Sequence, residues 1–129
     1  MKVVDTTLLI GHARGDSAVE TYLTDHATET LIVPTIAFQE LAVGEVAARD
    51  KTKEATLGYL GVFDVRAFDS DLAYHAAVIE ADLRAKGEYD PTLASDILIG
   101  GVARSLSLPV VTRNTDHFSK FNGVSVETY

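Results

Sequence analysis

The 129-residue chain contains no cysteine and no tryptophan, and only one methionine and three prolines. Without cysteine it has no disulfide framework and no thiolate metal site, and a reducing compartment suits it. Positive charge is also scarce: 11 Lys and Arg stand against 19 Asp and Glu, a net charge of −8. Such a balance runs against a polyanionic partner, because phosphate backbones favour a positive surface. Two readings soften the conflict. Some of the acids serve as ligands whose bound cations offset them, or the acidic surface suits high salt, where screening shortens repulsion. Long apolar runs are missing as well, and the longest falls far short of the ~20 residues of a membrane span. The first apolar run is broken by Asp5 too early for a signal peptide. The expectation is a soluble, cytoplasmic protein. No Walker loop, dinucleotide glycine fingerprint or Ser-His-Asp arrangement is present. The four histidines, His12, His26, His75 and His117, show no zinc spacing.

What is present is apolar residues, 47% of the chain, enough for a real core and against disorder. The length is that of one domain, residues 1–129. Short apolar strands are expected at 2–4, 31–33, 62–65, 110–111 and 124–126. Helices are expected at 6–14, 17–25, 35–49 with Thr35 as N-cap, and 51–59. A further helix is capped by Asp69 or Ser70, buries Leu72, Ala76, Ile79 and Leu83 on one face, and stops at Gly87. The next opens at Asp90-Pro91 and ends near Leu108-Pro109. A short helical turn covers 114–120. Strands alternating with amphipathic helices mean an α/β fold, a parallel sheet with helices on both faces.

Four acids fall at comparable places on that plan. Asp5 ends the first strand. Glu40 lies in the second turn of its helix. Asp96 sits a turn and a half into another, just before Ile-Leu-Ile-Gly-Gly. Asp116 follows the fourth strand. Each has an ordinary explanation: a helix cap, a solvated helix face, a loop acid. Gly100-Gly101 inside a helix costs on the order of 1 kcal/mol per glycine, which implies close packing, here expected against the sheet beside the pocket. Together the four acids are expected to converge where the strands end, the crevice in which open parallel sheets bind ligands. Carboxylates so close cannot all stay ionised without a cation. An all-oxygen donor set selects Mg²⁺ or Mn²⁺ over Zn²⁺. Such a centre acidifies water and neutralises a phosphoryl oxygen, so hydrolysis of a phosphodiester is the expected chemistry. His117 is near enough to meet a phosphate.

Four segments carry a resemblance: Val3-Val4-Asp5-Thr6-Thr7-Leu8-Leu9-Ile10, Pro34-Thr35-Ile36-Ala37-Phe38-Gln39-Glu40-Leu41, Asp96-Ile97-Leu98-Ile99-Gly100-Gly101-Val102-Ala103 and Val111-Thr112-Arg113-Asn114-Thr115-Asp116-His117-Phe118. In order and spacing the chain resembles the PIN-domain ribonucleases, in particular the VapC-type toxins of prokaryotic toxin–antitoxin pairs. The resemblance implies a three-layer α/β/α domain with a central parallel sheet of about five strands. It implies Asp5, Glu40 and Asp96 as three catalytic, metal-ligating acids, with Asp116 as candidate for the fourth, since many PIN domains place an acid where Asn114 stands. Thr6, Thr112 and Asn114 support that shell. Arg113 and Arg84 are candidate contacts for RNA or antitoxin, although Arg84 can simply pair with Glu80. A homodimer is implied, inhibited by a VapB-like antitoxin with a basic side chain for the acids. The helices at 17–25 and 35–49 are expected to form its apolar groove, unless their apolar residues are ordinary core.

Rival readings remain at this level. A non-catalytic PIN-like scaffold for RNA or protein has no physical need for three converging acids. A phosphoacceptor signalling domain also gathers acids at strand ends, but it needs a Lys on a later strand, and Thr112-Arg113-Asn114 supplies none. A phosphatase would share the metal pocket.

Overall fold

Val3 and Val4 have no solvent exposure, and the strand they form, β1 (Lys2–Val4), is the middle strand of the sheet. The computed structural model describes residues 1–129. β2 (Leu31–Pro34) and β4 (Val110–Val111) flank β1, and β3 (Asp64–Arg66) and β5 (Val126–Glu127) form the edges. The five-stranded order is β3-β2-β1-β4-β5, and every pairing is parallel. Register is fixed by Val3 opposite Ile32 on one side and Val110 on the other. The helices are α1 (Thr6–Ala13), α2 (Ser17–Asp25), α3 (Thr35–Arg49), α4 (Lys53–Leu57), α5 (Ser70–Ala85), α6 (Ala94–Leu106) and α7 (Thr115–Phe118). They complete the three-layer α/β/α arrangement. No helix is long and apolar enough to cross a membrane.

Local chemistry explains most boundaries. Asp16 and Asp69 cap α2 and α5 by accepting backbone N–H bonds, as short polar side chains do at helix starts. The stripe Leu72, Ala76, Ile79 and Leu83 is buried as its spacing predicts. Gly87 follows α5 with φ of 70°, a left-handed conformation that glycine adopts without a Cβ penalty.

Several expectations need correction. Thr35 is the first residue of α3, not its cap; Pro34 holds that place and makes no side-chain cap bond. The helix expected at 51–59 is five residues of α-helix followed by a 3-10 turn, Gly58–Leu60. The third strand runs Asp64–Arg66, because Gly61 and Val62 belong to the turn before it. The fifth is Val126–Glu127. Asp90-Pro91 opens a 3-10 turn, Pro91–Leu93, and α6 begins only at Ala94. Asp96 therefore lies in the first turn of α6.

The paired glycines pack against helix and side chain, not against the sheet. A Cβ on Gly101 would lie 2.8 Å from both the backbone nitrogen and the Cβ of Ala76 in α5. On Gly100 it would meet the ring of Phe121 at 2.9 Å. An aromatic ring can shift, but a helix backbone cannot without parting α5 from α6. Gly101→Ala is expected to cost about 1–3 kcal/mol, the range of overpacking, and Gly100→Ala less. Denaturant melts of the two variants check the order.

One core position is occupied against the rules. Ala37, Leu41 and Glu45 form the inward stripe of α3, and Glu45 is completely buried. Neither carboxylate oxygen has a hydrogen-bond partner. The nearest cation, Arg49, holds its Nε 4.0 Å away.

Candidate active site

The site begins where β1 stops. Asp5 keeps an extended backbone and becomes the N-cap of α1, with Oδ1 accepting the N–H of Leu8 at 3.0 Å. The capping reading of this residue is thus correct, and it does not exhaust the side chain. Oδ2 accepts hydroxyls from two directions, Thr7 at 2.8 Å and Thr112 at 2.5 Å. Thr112 directly follows β4, the strand beside β1, and its backbone N–H is held by the carbonyl of Glu127. Adjacent parallel strands therefore deliver the acid and its hydroxyl partner to one edge. The Thr112 hydroxyl also accepts the N–H of Asn114 at 2.8 Å, which shapes the loop into α7.

Glu40 comes from α3, and its Oε1 accepts the hydroxyl of Thr6 at 2.6 Å. Asp96 comes from the first turn of α6, and His117 Nδ1 stands 2.8 Å from its Oδ2. An ionised carboxylate can only accept, so the imidazole donates in that contact.

Electrostatics link the three acids. Burial pushes the Asp5 carboxyl above its ordinary value against its three hydrogen bonds, and the charge of Asp96 adds to the rise. Burial raises Asp96 as well; His117 pulls it down, and the charge of Glu40 pushes it up again. Asp5, Asp96 and Glu40 form a run of repelling neighbours, which is the condition a cation relieves. As placed, no three His, Asp or Glu side chains surround a single point closely enough to hold an ion by themselves. That arrangement still suits Mg²⁺, which keeps several waters and commonly takes only one or two carboxylates. The donors are all hard oxygens, and no thiolate competes.

The remaining expected residues are placed as follows. Asp116 is exposed, and its carboxylate makes no hydrogen bond or ion pair. From its short helix the neighbouring residue, His117, reaches Asp96 instead. One helical step turns a side chain by about 100°, and sequence alone does not say which of two neighbours faces inward. Asn114 contributes its backbone, not its side chain. Arg84 gives its Nε–H to Glu80 at 2.9 Å and lies over the ring of Tyr89. Arg113 pairs with Asp16. The expected groove between α2 and α3 is two separate depressions. One follows Gln39, Val43 and Val46 on α3, and the other lies between α2 and Tyr129. Thr7, Asp16 and Tyr129 were not anticipated; of these, only the hydroxyl two residues after Asp5 left a readable sign.

Thr112→Val is expected to leave Oδ2 of Asp5 one donor short and the Asn114 N–H without an acceptor. Unsatisfied buried groups cost about 1–3 kcal/mol each. Thermal melts should show a clear drop for the valine variant and recovery in Thr112→Ser.

The chain is similar to known proteins in sequence and fold. The PIN domain family model matches residues 2–124. A Shigella flexneri protein named tRNA(fMet)-specific endonuclease VapC is 30% identical over 103 residues, covering 77% of this chain and 75% of its own. A Salmonella typhimurium protein of the same name is 29% identical over 104 residues, covering 79% and 77%. The crystal structure of DNA-bound VapBC from Salmonella typhimurium superposes with a TM-score of 0.81 at 25% identity, over 99% of this chain and 98% of that one. With the sheet order, the site and these likenesses together, the chain belongs to the PIN domain family, among its VapC-type members.

Proposed function

We propose that this chain is a metal-dependent endoribonuclease, the toxin of a VapBC-type pair, with Asp5, Glu40 and Asp96 as its catalytic and metal-ligating acids. The observation that carries the reading is the set of oriented carboxylates: Asp5 at the end of β1 held by Thr7 and Thr112, Glu40 held by Thr6, the residue next to Asp5, and Asp96 held by His117 of α7, which follows Thr112. Mg²⁺ or Mn²⁺ held there supplies charge for the phosphate oxygens and lowers the pKa of water. The chain's own residues orient the acids. Thr7 and Thr112 fix Asp5, Thr6 fixes Glu40, and His117 fixes Asp96. RNA is the substrate, and initiator tRNA is the first to try because both relatives carry that name. With RNA as the substrate, the cytoplasm is the proposed location.

The proposed inhibitor is a VapB-like antitoxin whose basic side chain enters the acid pocket, where a charge-assisted bond to a carboxylate is strong. A homodimer is also proposed. Val43 and Val46, 56% and 61% exposed on α3, are the apolar surface that supports a second copy. The scaffold alternative has one observation in its favour, the absence of three side chains converging on one point.

Partner-free protein should cut RNA in Mn²⁺ and stop in EDTA, tested at moderate and high salt because of the charge of −8. Saturating Mn²⁺ should also raise the melting temperature, since an ion at a hundred times its Kd stabilises by about 2.7 kcal/mol. No cleavage together with an unmoved melt would favour the scaffold.

A further inference from the structure

Arg113 stands one residue beyond the threonine whose hydroxyl holds Asp5. Its guanidinium is fixed from two sides. Nη1 reaches Oδ2 of Asp16 and Nη2 reaches Oδ1, each at 3.3 Å, a fork against a fork. Its Cζ lies over the Tyr129 ring, 4.6 Å from the ring centre. Both supports are themselves anchored. Asp16 caps α2 through the N–H groups of Ala18 and Val19. Tyr129 lies against Tyr22 of α2, 5.8 Å between ring centres, and its hydroxyl is buried without a partner. Burial and then the charge of Asp5 push that hydroxyl up to about 12.

The Arg113 side chain nevertheless stays 42% exposed. A guanidinium has five N–H donors, and stacking uses none of them. Two face Asp16, which leaves the others for an incoming anion. On a chain of net charge −8, a cation one residue beyond the hydroxyl that holds Asp5 can offset the repulsion that a phosphate meets near the acids.

We propose that Arg113 binds an RNA phosphate beside the scissile bond, and that Asp16 and Tyr129 are positioning residues that hold its guanidinium in place. The inference rests on the nuclease reading and adds to it the residues that hold the substrate backbone. Tyr129 acts here through its ring, not its hydroxyl. Asp16 acts through its charge, separately from its cap.

Four variants separate these roles: Arg113→Lys, Tyr129→Leu, Tyr129→Phe and Asp16→Asn. The asparagine keeps an oxygen for the α2 cap and loses the ion pair. Cleavage kinetics on a single-stranded RNA in Mn²⁺ should show KM raised about three- to tenfold in Arg113→Lys, Tyr129→Leu and Asp16→Asn, with kcat within about twofold. Tyr129→Phe should match wild type. A purely structural Tyr129 would instead lower the melting temperature and leave KM alone, which overturns its assigned role, as does a Tyr129→Phe that behaves like Tyr129→Leu. Binding of labelled RNA in EDTA, followed by anisotropy at low salt, reads the same effect without cleavage. If wild type does not cut, weaker binding by Arg113→Lys still supports the phosphate contact. Equal affinity, or no binding by wild type, overturns it.

Discussion

Asp96→Asn is expected to abolish RNA cleavage, by about a hundredfold or more, and at the same time to make the metal-free protein more stable at neutral pH. Both effects come from one charge. Asparagine keeps the size of the side chain and an oxygen for His117, so the first turn of α6 is undisturbed. It removes the carboxylate that stands between Asp5 and Glu40 in the run of repelling acids. The pH dependence has a definite sign. Burial raises Asp96 above its reference value of 3.8 in the folded chain, so the folded state holds that proton more tightly than the unfolded one. Its contribution to stability is complete below the unfolded value and is lost as pH rises through the folded value. At pH 7 the ionised group therefore works against the fold. In EDTA the variant should melt above wild type at pH 7, and the gap should close as pH falls through the carboxylate range. Adding Mn²⁺ should reverse the order by stabilising wild type and not the variant. A variant that melts lower in EDTA at pH 7 would mean that the His117 contact outweighs burial and repulsion.

Glu45→Leu is expected to stabilise the protein by about 1–4 kcal/mol, the range seen when a buried ion pair gives way to a hydrophobic residue of similar volume. Glu45 follows Ala37 and Leu41 on the inward stripe of α3 and is as buried as they are. Nothing donates to it, and Arg49 at 4.0 Å is a loose partner. For a domain of this size, each kcal/mol moves the melting temperature by roughly 4 °C. Arg49 gives the control. Arg49→Ala should destabilise wild type and leave Glu45→Leu unchanged, a coupling that a double-mutant cycle measures directly. If Glu45→Leu melts lower, the carboxylate has a stabilising role that its contacts do not reveal.

Much of the fold was legible because its signals are local. The stripe from Leu72 to Leu83, the acids that cap helices and the three inner apolar strands β1, β2 and β4 each follow from a few neighbouring residues. What the sequence could not reveal depended on distant partners. Nothing near Gly101 says that its neighbour is Ala76 rather than the sheet. Nothing near Val62 says that the third strand waits two more residues. Among the site residues, Asp5, Glu40 and Asp96 were placed by strand and helix order, which topology preserves. Asp116 and His117 differ by a single helical step, a difference fixed only by how α7 sits against α6. Glu45 was unreadable for the same reason: its burial depends on what lies across from α3.

The central place of β1 also has a meaning in time. Asp5 and Thr112, the hydroxyl that fixes it, lie 107 residues apart along the chain. The half-sheet of β1, β2 and β3 with Glu40 can assemble first, because its pairings join nearer stretches of chain. Asp96, Thr112 and His117 arrive only with α6, β4 and α7. Closing such a long separation costs loop entropy before any contact repays it. A ribosome-bound chain that has not yet released α6, β4 and α7 therefore carries Asp5 and Glu40 with Thr6 and Thr7, but without Asp96, Thr112 and His117. On the nuclease reading, the catalyst is complete only once α6, β4 and α7 have been made and have docked on that half-sheet.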